Sequence, residues 1–426
     1  MPPPCQPGSP LTEKRRTAGL ADAAGAAAAT FAVQIWAANM LTATELGIYA
    51  IVFRGFSLVA LVPANLIARP LELEALSLPH AQRLHLIRRS LVRIGLLAAA
   101  ISGLLPLLAG LVSANHATDV AQSLPLGLTA AAAGLVSPLQ DHARRLLHVA
   151  DRSAYAALMS MVQLVSVVVG LIVAVSVDIA PTAIPFGVLA IANVISLAVG
   201  VFVSMKFADQ DVAPRNTTSL RDNFTAGRWL LTQEGSVELS SFLANIAVAE
   251  VVGLRLLGFA EAARIVSQPI FVIGRGLSES LQPRAMDAAA GRDHDKARNV
   301  RRQFYSLYIP LSALALVVLG FPWTWNPLAA LLPKAYEIGG LAVFFLIARS
   351  LAQASSPFKG EALGFRFERK LAALDVTAGT LRLSAVIAAL AVSANIFSLP
   401  IGGMLASLFL LFARARLASR GYNDFL

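Results

Sequence analysis

The sequence predicts an all-α, polytopic membrane protein: about 12 transmembrane helices in two six-helix, parallel-repeat bundles around a central cavity. Three observations lead there. Apolar residues make up 56% of the chain and charged residues only 14%, against about 25% charged in an ordinary soluble domain. Twelve apolar segments have the length of about 20 residues that a bilayer demands. Short sequence words recur in the same order about half a chain apart.

Taken in order, the spans lie near 18–42, 46–68, 90–112, 123–147, 155–177, 182–204, 227–249, 257–281, 303–325, 336–356, 371–393 and 396–416. The fourth and tenth turn polar toward their C-terminal ends. This divides the chain into a tail (1–17), a first bundle (18–206), a linker (207–224), a second bundle (225–418) and a last tail (419–426). The start, MPPPCQPGSP, lacks the basic region and apolar core of a cleaved signal and reads as a disordered tail. Cys5 is the single cysteine, which excludes an intrachain disulfide.

The net charge of +10 is an orientation signal. The tails and the connections after even-numbered spans, together with the span ends that flank them, hold 28 of the 35 Lys and Arg, whereas the opposite connections hold only Arg255 and Lys334. By the positive-inside rule both termini are cytoplasmic, in a multi-pass protein of the plasma (inner) membrane. No nucleic-acid partner is needed to explain the basic surplus.

The repeat rests on three word pairs. LGIYAIVF at Leu46 answers LGFAEAAR at Leu257; Arg88-Arg89 answers Arg301-Arg302; SPLQDHARRLLHVADR at Ser137 answers SPFKGEALGFRFER at Ser356. Six helices separate the copies, an even number, so the halves share one orientation about an axis along the membrane normal.

The candidate site is an intramembrane stripe. Between Leu257 and Pro283, Glu261, Arg264, Gln268, Arg275 and Glu279 fall within an arc of about 60° at 100° per residue. A charge at the bilayer centre costs about 2.5–3.5 kcal/mol, so this stripe faces protein or a watery cavity. Glu234, Glu238, Ser241 and Asn245 make a second stripe on span 7. Arg54 shares a face with Ser57 and Asn65 on span 2, Arg349 shares one with Gln353 and Ser356 on span 10, and Asp375 and Arg382 lie on span 11. Local pairing, Glu261 with Arg264, Arg275 with Glu279 and Asp375 with Arg382, competes with cavity lining as their explanation.

Other chemistry is thin. The histidines sit in connections or at helix ends without metal-ligand spacing and read as solvated. There is no Walker loop, and the outer connections are too short for a catalytic domain. The chain is therefore not expected to be an enzyme or to carry a cofactor. Trp323 and Trp325 read as membrane-interface anchors.

A major facilitator would carry a Gly-x-x-x-Asp-Arg-x-Gly-Arg type motif after span 2; here stands RPLELEALSLPHAQR. TATELGIYAIVFRGFSLVALV, DHARRLLHVADRSAYA and GFAEAARIVSQPIFVIGRGLSESLQPRAM instead resemble the polysaccharide and lipid-linked oligosaccharide flippases of the multidrug/oligosaccharidyl-lipid/polysaccharide exporter superfamily. The likeness runs along most of the chain in helix order, without a fixed catalytic string. It implies a monomeric transporter that moves a polyprenyl-(pyro)phosphate-linked glycan by alternating access, with membrane lipids and glycan assembly enzymes as partners. A multidrug or cation antiporter of the same superfamily is the alternative, and a non-transporting scaffold a third. An antiporter calls for an acidic cavity, whereas the arginines on spans 2, 8, 10 and 11 favour an anionic cargo. The bidentate guanidinium fork suits phosphate, which singles out Arg54 and Arg264 on equivalent spans.

Overall fold

The computed structural model describes residues 10–76, 78, 80–116, 120–177, 179–207, 220–320, 327, 332–333, 336 and 339–423. It is all-helical among them. The first half contains α1 (Pro10–Met40), α2 (Ala43–Pro63), α3 (Arg69–Leu76), α4 (His80–Ser102), α5 (Leu104–Asn115), α6 (Val120–Val149), α7 (Ser153–Val175) and α8 (Ile184–Phe207). The second contains α9 (Leu220–Val252), α10 (Leu254–Val266), α11 (Gln268–Ala290), α12 (His294–Gly320), α13 (Gly339–Ala354), α14 (Ser356–Gly364), α15 (Glu368–Ser393) and α16 (Ser398–Asn423). The segments expected as tails are partly helical: α1 begins at Pro10 and α16 runs to Asn423. Trp323, Trp325 and most of the 207–224 linker lie outside the described residues.

Among the described residues, nine helical stretches are long and apolar enough to cross a membrane, ten if the bent α10–α11 pair counts as one span. The two of the expected twelve that fall short are α1 and α6. Alanine dominates α1, and α6 carries Gln140, Asp141, His142, Arg144 and Arg145 in its last third. Both nonetheless take their places in the bundle, α1 along α7 and α6 between α4 and α8.

Local sequence explains the breaks. Thr42 and Glu45 form a capping box, the Glu45 carboxylate accepting from the Thr42 N–H at 2.8 Å, which starts α2 only two residues after α1 ends. At Pro63 the α2 ladder loosens into a π-helical turn, Ala64–Ala68, with Asn65 Nδ2 donating to the Leu61 carbonyl at 3.1 Å. Span 8 is broken at Ser267 by a 46° bend, because Pro269 cannot donate to the preceding turn. Ser355 ends α13 in the same way, two residues before Pro357.

The halves meet through α2, which packs on α10 and α9. At the end of the bundle holding the α1–α2 turn, the contact is backbone on backbone and reciprocal. A Cβ on Gly47 would stand 2.1 Å from the Leu254 carbonyl oxygen, and one on Gly258 would stand 1.9 Å from that of Ala43. Ala43 and Leu254, like Gly47 and Gly258, are 211 residues apart. Residue i touches j′ while j touches i′, the signature of a two-fold relation. At the opposite end, where α1 begins, Gly227 of α9 lies against the backbone of Asn65 and Leu66.

Candidate functional site

Between α2, α9, α10, α13 and α15 lies a cluster of buried and half-buried charged side chains, called the chamber below. Arg54 Nη1 donates to Glu238 Oε2 across the halves at 3.1 Å. Arg264 donates twice to Glu261, from Nε to Oε2 at 2.6 Å and from Nη2 to Oε1, while its guanidinium carbon lies 5.5 Å from the Phe53 ring centre. Arg382 Nη1 donates to Ser241 Oγ at 2.5 Å. Arg349 stacks on Phe271 at 4.6 Å and, among the described residues, has no carboxylate partner. Each guanidinium lies within the electrostatic reach of the others and of Glu238. Four arginines against two glutamates leave the chamber at a formal +2.

One turn nearer the α1 end sits a second layer. Arg69 Nη1 stands 2.7 Å from Glu234, which also accepts from Asn65 Nδ2 at 3.3 Å. Arg414 joins Asp375 (2.5 Å) to Ser355 Oγ (2.8 Å). Lys359 looks into this group, feeling Glu234, Asp375, Arg69 and Arg414.

The expected site residues therefore divide. Arg54, Glu238, Glu261, Arg264, Arg349 and Arg382 come together in the chamber, and Glu234 belongs to the layer below. Asn245 is buried two turns beyond Glu238 on α9. Gln268 opens α11 with its side-chain oxygen buried and unbonded. Arg275 is not in the chamber: it is exposed on α11 and faces Asp141 of α6 in the other half. The continuous stripe from Glu261 onward is thus two stripes, because 100° per residue cannot be carried across the Ser267 bend. The side chain of Glu279 lies outside the described residues. Of the local pairs, Glu261–Arg264 forms, whereas Asp375 turns to Arg414 instead of Arg382.

Two histidines are corrected as well. His142 is 1% exposed, its Nε2 lying 2.6 Å from Ser90 Oγ. His148 Nε2 lies 2.8 Å from Asp22, a buried acid on α1 that Arg144 (2.9 Å) and Ser160 (2.5 Å) also hold. Asp22 is the one acid within span 1, and a lone acid in an apolar span is a sequence signal for a buried partner.

Solved structures share this arrangement of helices. The chain resembles an inward-facing multidrug resistance MATE family transporter of the MOP superfamily (14% identity, TM-score 0.66, covering 92% of this chain and 94% of that one). It is as similar to an outward-facing one (12%, TM-score 0.67, 95% and 96%). A third is a MOP superfamily transporter from Pyrococcus furiosus, described as having a binding pocket of reverse polarity that suggests a different function (13%, TM-score 0.67, 96% and 96%). No protein-family model matches the sequence, and no curated protein does. The chain has the fold of the MATE transporters.

Proposed function

We propose that this protein is an alternating-access transporter of the plasma membrane that flips a polyprenyl-(pyro)phosphate-linked glycan precursor from the cytoplasmic to the outer leaflet. The observation behind this reading is the chamber's formal +2, set between the two halves. A diphosphate cannot cross hydrocarbon unaided, and four guanidinium groups in a partly desolvated chamber offer it charge and paired donors. Arg349, lacking an anionic partner, is the ready receptor; Arg54 and Arg264 hold theirs through Glu238 and Glu261, which cargo phosphate would displace. The first turn of α11 starts beside Arg264, and a helix start favours negative charge. A cationic drug would meet net repulsion here, which weighs against the antiporter reading.

The test is complementation. In a strain deleted for the gene, lipid-linked intermediates should accumulate, and their mass would name the glycan. Arg54→Ala and Arg264→Ala should each lose about 1.5–3 kcal/mol of cargo binding, and the Lys versions, which keep charge but lose the fork, should rescue only in part. Wild-type export by both alanine variants at normal abundance would end the assignment.

Orientation is checked separately. Reporter fusions at Asn299 should read cytoplasmic and fusions at Asn115 external; the reverse readings would turn the transporter over.

A further inference from the structure

The two halves repeat one buried polar triad with different chemistry. In the first half Gln163 (α7) donates to Asn193 (α8) at 2.6 Å, and Asn193 donates to Ser137 (α6) at 2.7 Å. In the second half Arg414 (α16) donates to Asp375 (α15) at 2.5 Å and to Ser355, at the α13–α14 break, at 2.8 Å. Taken by span, Gln163 corresponds to Asp375, Asn193 to Arg414 and Ser137 to Ser355, one residue from the Ser356 with which it pairs in the sequence repeat, at offsets of 212, 221 and 218 residues. The first half therefore shows what tying these three spans together requires, and neutral amides suffice. Charge in the second half is surplus to that task.

The surplus is not fully paired. Asp375 Oδ2 and Arg414 Nε are buried without a hydrogen-bond partner. Beside them Lys359, half-buried, has no carboxylate within ion-pair distance among the described residues, although Glu234 and Asp375 both act on it. Across from it Arg69, on the first half, holds Glu234. Arg69, Lys359 and Arg414 against Glu234 and Asp375 give this layer a formal +1. It lies between the chamber and the end of the bundle at which α1 begins.

We propose that Arg69 and Lys359 form a second anion site, a capture site for a phosphate group on its way to the arginine chamber, with Glu234 as the internal anion that the phosphate replaces. Lys359 supplies a mobile point charge and Arg69 a fork, one from each half, so occupancy bridges the halves. The proposal rests on the anionic-cargo reading, but the site's existence can be tested without any glycan.

The experiment is amine labelling of the purified full-length protein in phosphatidylcholine nanodiscs, read peptide by peptide by mass spectrometry. Inorganic pyrophosphate is the probe, and Lys296, exposed and paired with Asp287, is the internal reference. Pyrophosphate should protect Lys359 and leave Lys296 labelled. Arg69→Gln should raise the pyrophosphate needed about tenfold, the loss of one charge-assisted contact, whereas Arg54→Gln, in the chamber, should leave the protection in place. Protection by part-phosphatidylglycerol nanodiscs without pyrophosphate would support the site and identify a lipid headgroup as its occupant. Equal labelling of Lys359 with and without pyrophosphate, no labelling of Lys359 at all, or protection lost in Arg54→Gln and retained in Arg69→Gln would each overturn the proposal. If instead protection holds while no lipid-linked glycan accumulates in the deletion strain, the site stands and the cargo assignment falls.

Discussion

Gly258→Ala should force apart the end of the bundle that holds the α1–α2 turn, and transport should stop. The added methyl would lie 1.9 Å from the Ala43 carbonyl oxygen, and its counterpart at Gly47 would lie 2.1 Å from that of Leu254. In each case the obstacle is backbone, which no rotamer change can clear, so α2 and α10 must separate. Overpacking of this kind costs about 1–3 kcal/mol. Charged against one conformation only, that shifts its population about five- to 150-fold. The closed arrangement seen here would become the minor state, and on the proposed function a transporter held open at one end cannot complete its cycle. Spin labels at Thr42 and Arg255, in a background with Cys5 replaced, should report a longer distance in Gly258→Ala and a longer one still with Gly47→Ala added. Gly110→Ala on α5, where a Cβ meets nothing within 4 Å, should change neither distance nor transport. Unaltered distance distributions in the double variant would show that the glycine contact does not set the equilibrium.

These glycines were written in the words that revealed the repeat. LGIYA and LGFAE each place Gly second, and the 211-residue offset between them is the register of the reciprocal contact. Periodicity likewise brought out Arg54, Glu238, Glu261, Arg264, Arg349 and Arg382, because a charge on an apolar helix has few places to go. It could not say which helix faces which. Arg54 finds its acid on α9 and Asp375 its base on α16, and neither partner is visible from a single helix face. The bend at Ser267 was spelled in Ser-Gln-Pro, yet running one angular count through it moved Arg275 into a chamber it does not line. Arg69, Lys359 and Arg414 were hidden for another reason. Counted among the connections and tails, they fitted the orientation rule so well that no second role was needed. The helices, however, run on past the apolar spans and carry these cations back inside the bundle. His142 shows the same limit: a helix-end position said solvent, and the packing of α4 on α6 buried it.

Asp375→Ala should destabilise the second half severely, and a double substitution copied from the first half should restore it. Asp375 is 1% exposed and Arg414 7%, so removing the acid strands a buried cation. Breaking such a pair from one side costs about 3–5 kcal/mol, whereas replacing both members by well-packed hydrophobic residues of similar volume is often near neutral, and a hydrogen-bonded amide pair likewise leaves no buried charge unpaired. The structure supplies the replacement, since Gln163 and Asn193 do the same task with Ser137 at the equivalent place. Asp375→Gln with Arg414→Asn should therefore melt close to the wild type, while Asp375→Ala and Arg414→Ala each melt well below it. The measurement is thermal unfolding of the purified protein followed by tryptophan fluorescence. A double variant as unstable as either single one would mean that the ion pair holds the spans together in a way the amides cannot. Recovery of stability would separate folding from function at this position. Any transport defect left in the stable double variant would then belong to the charge itself, which is where a phosphate passing Lys359 would feel it.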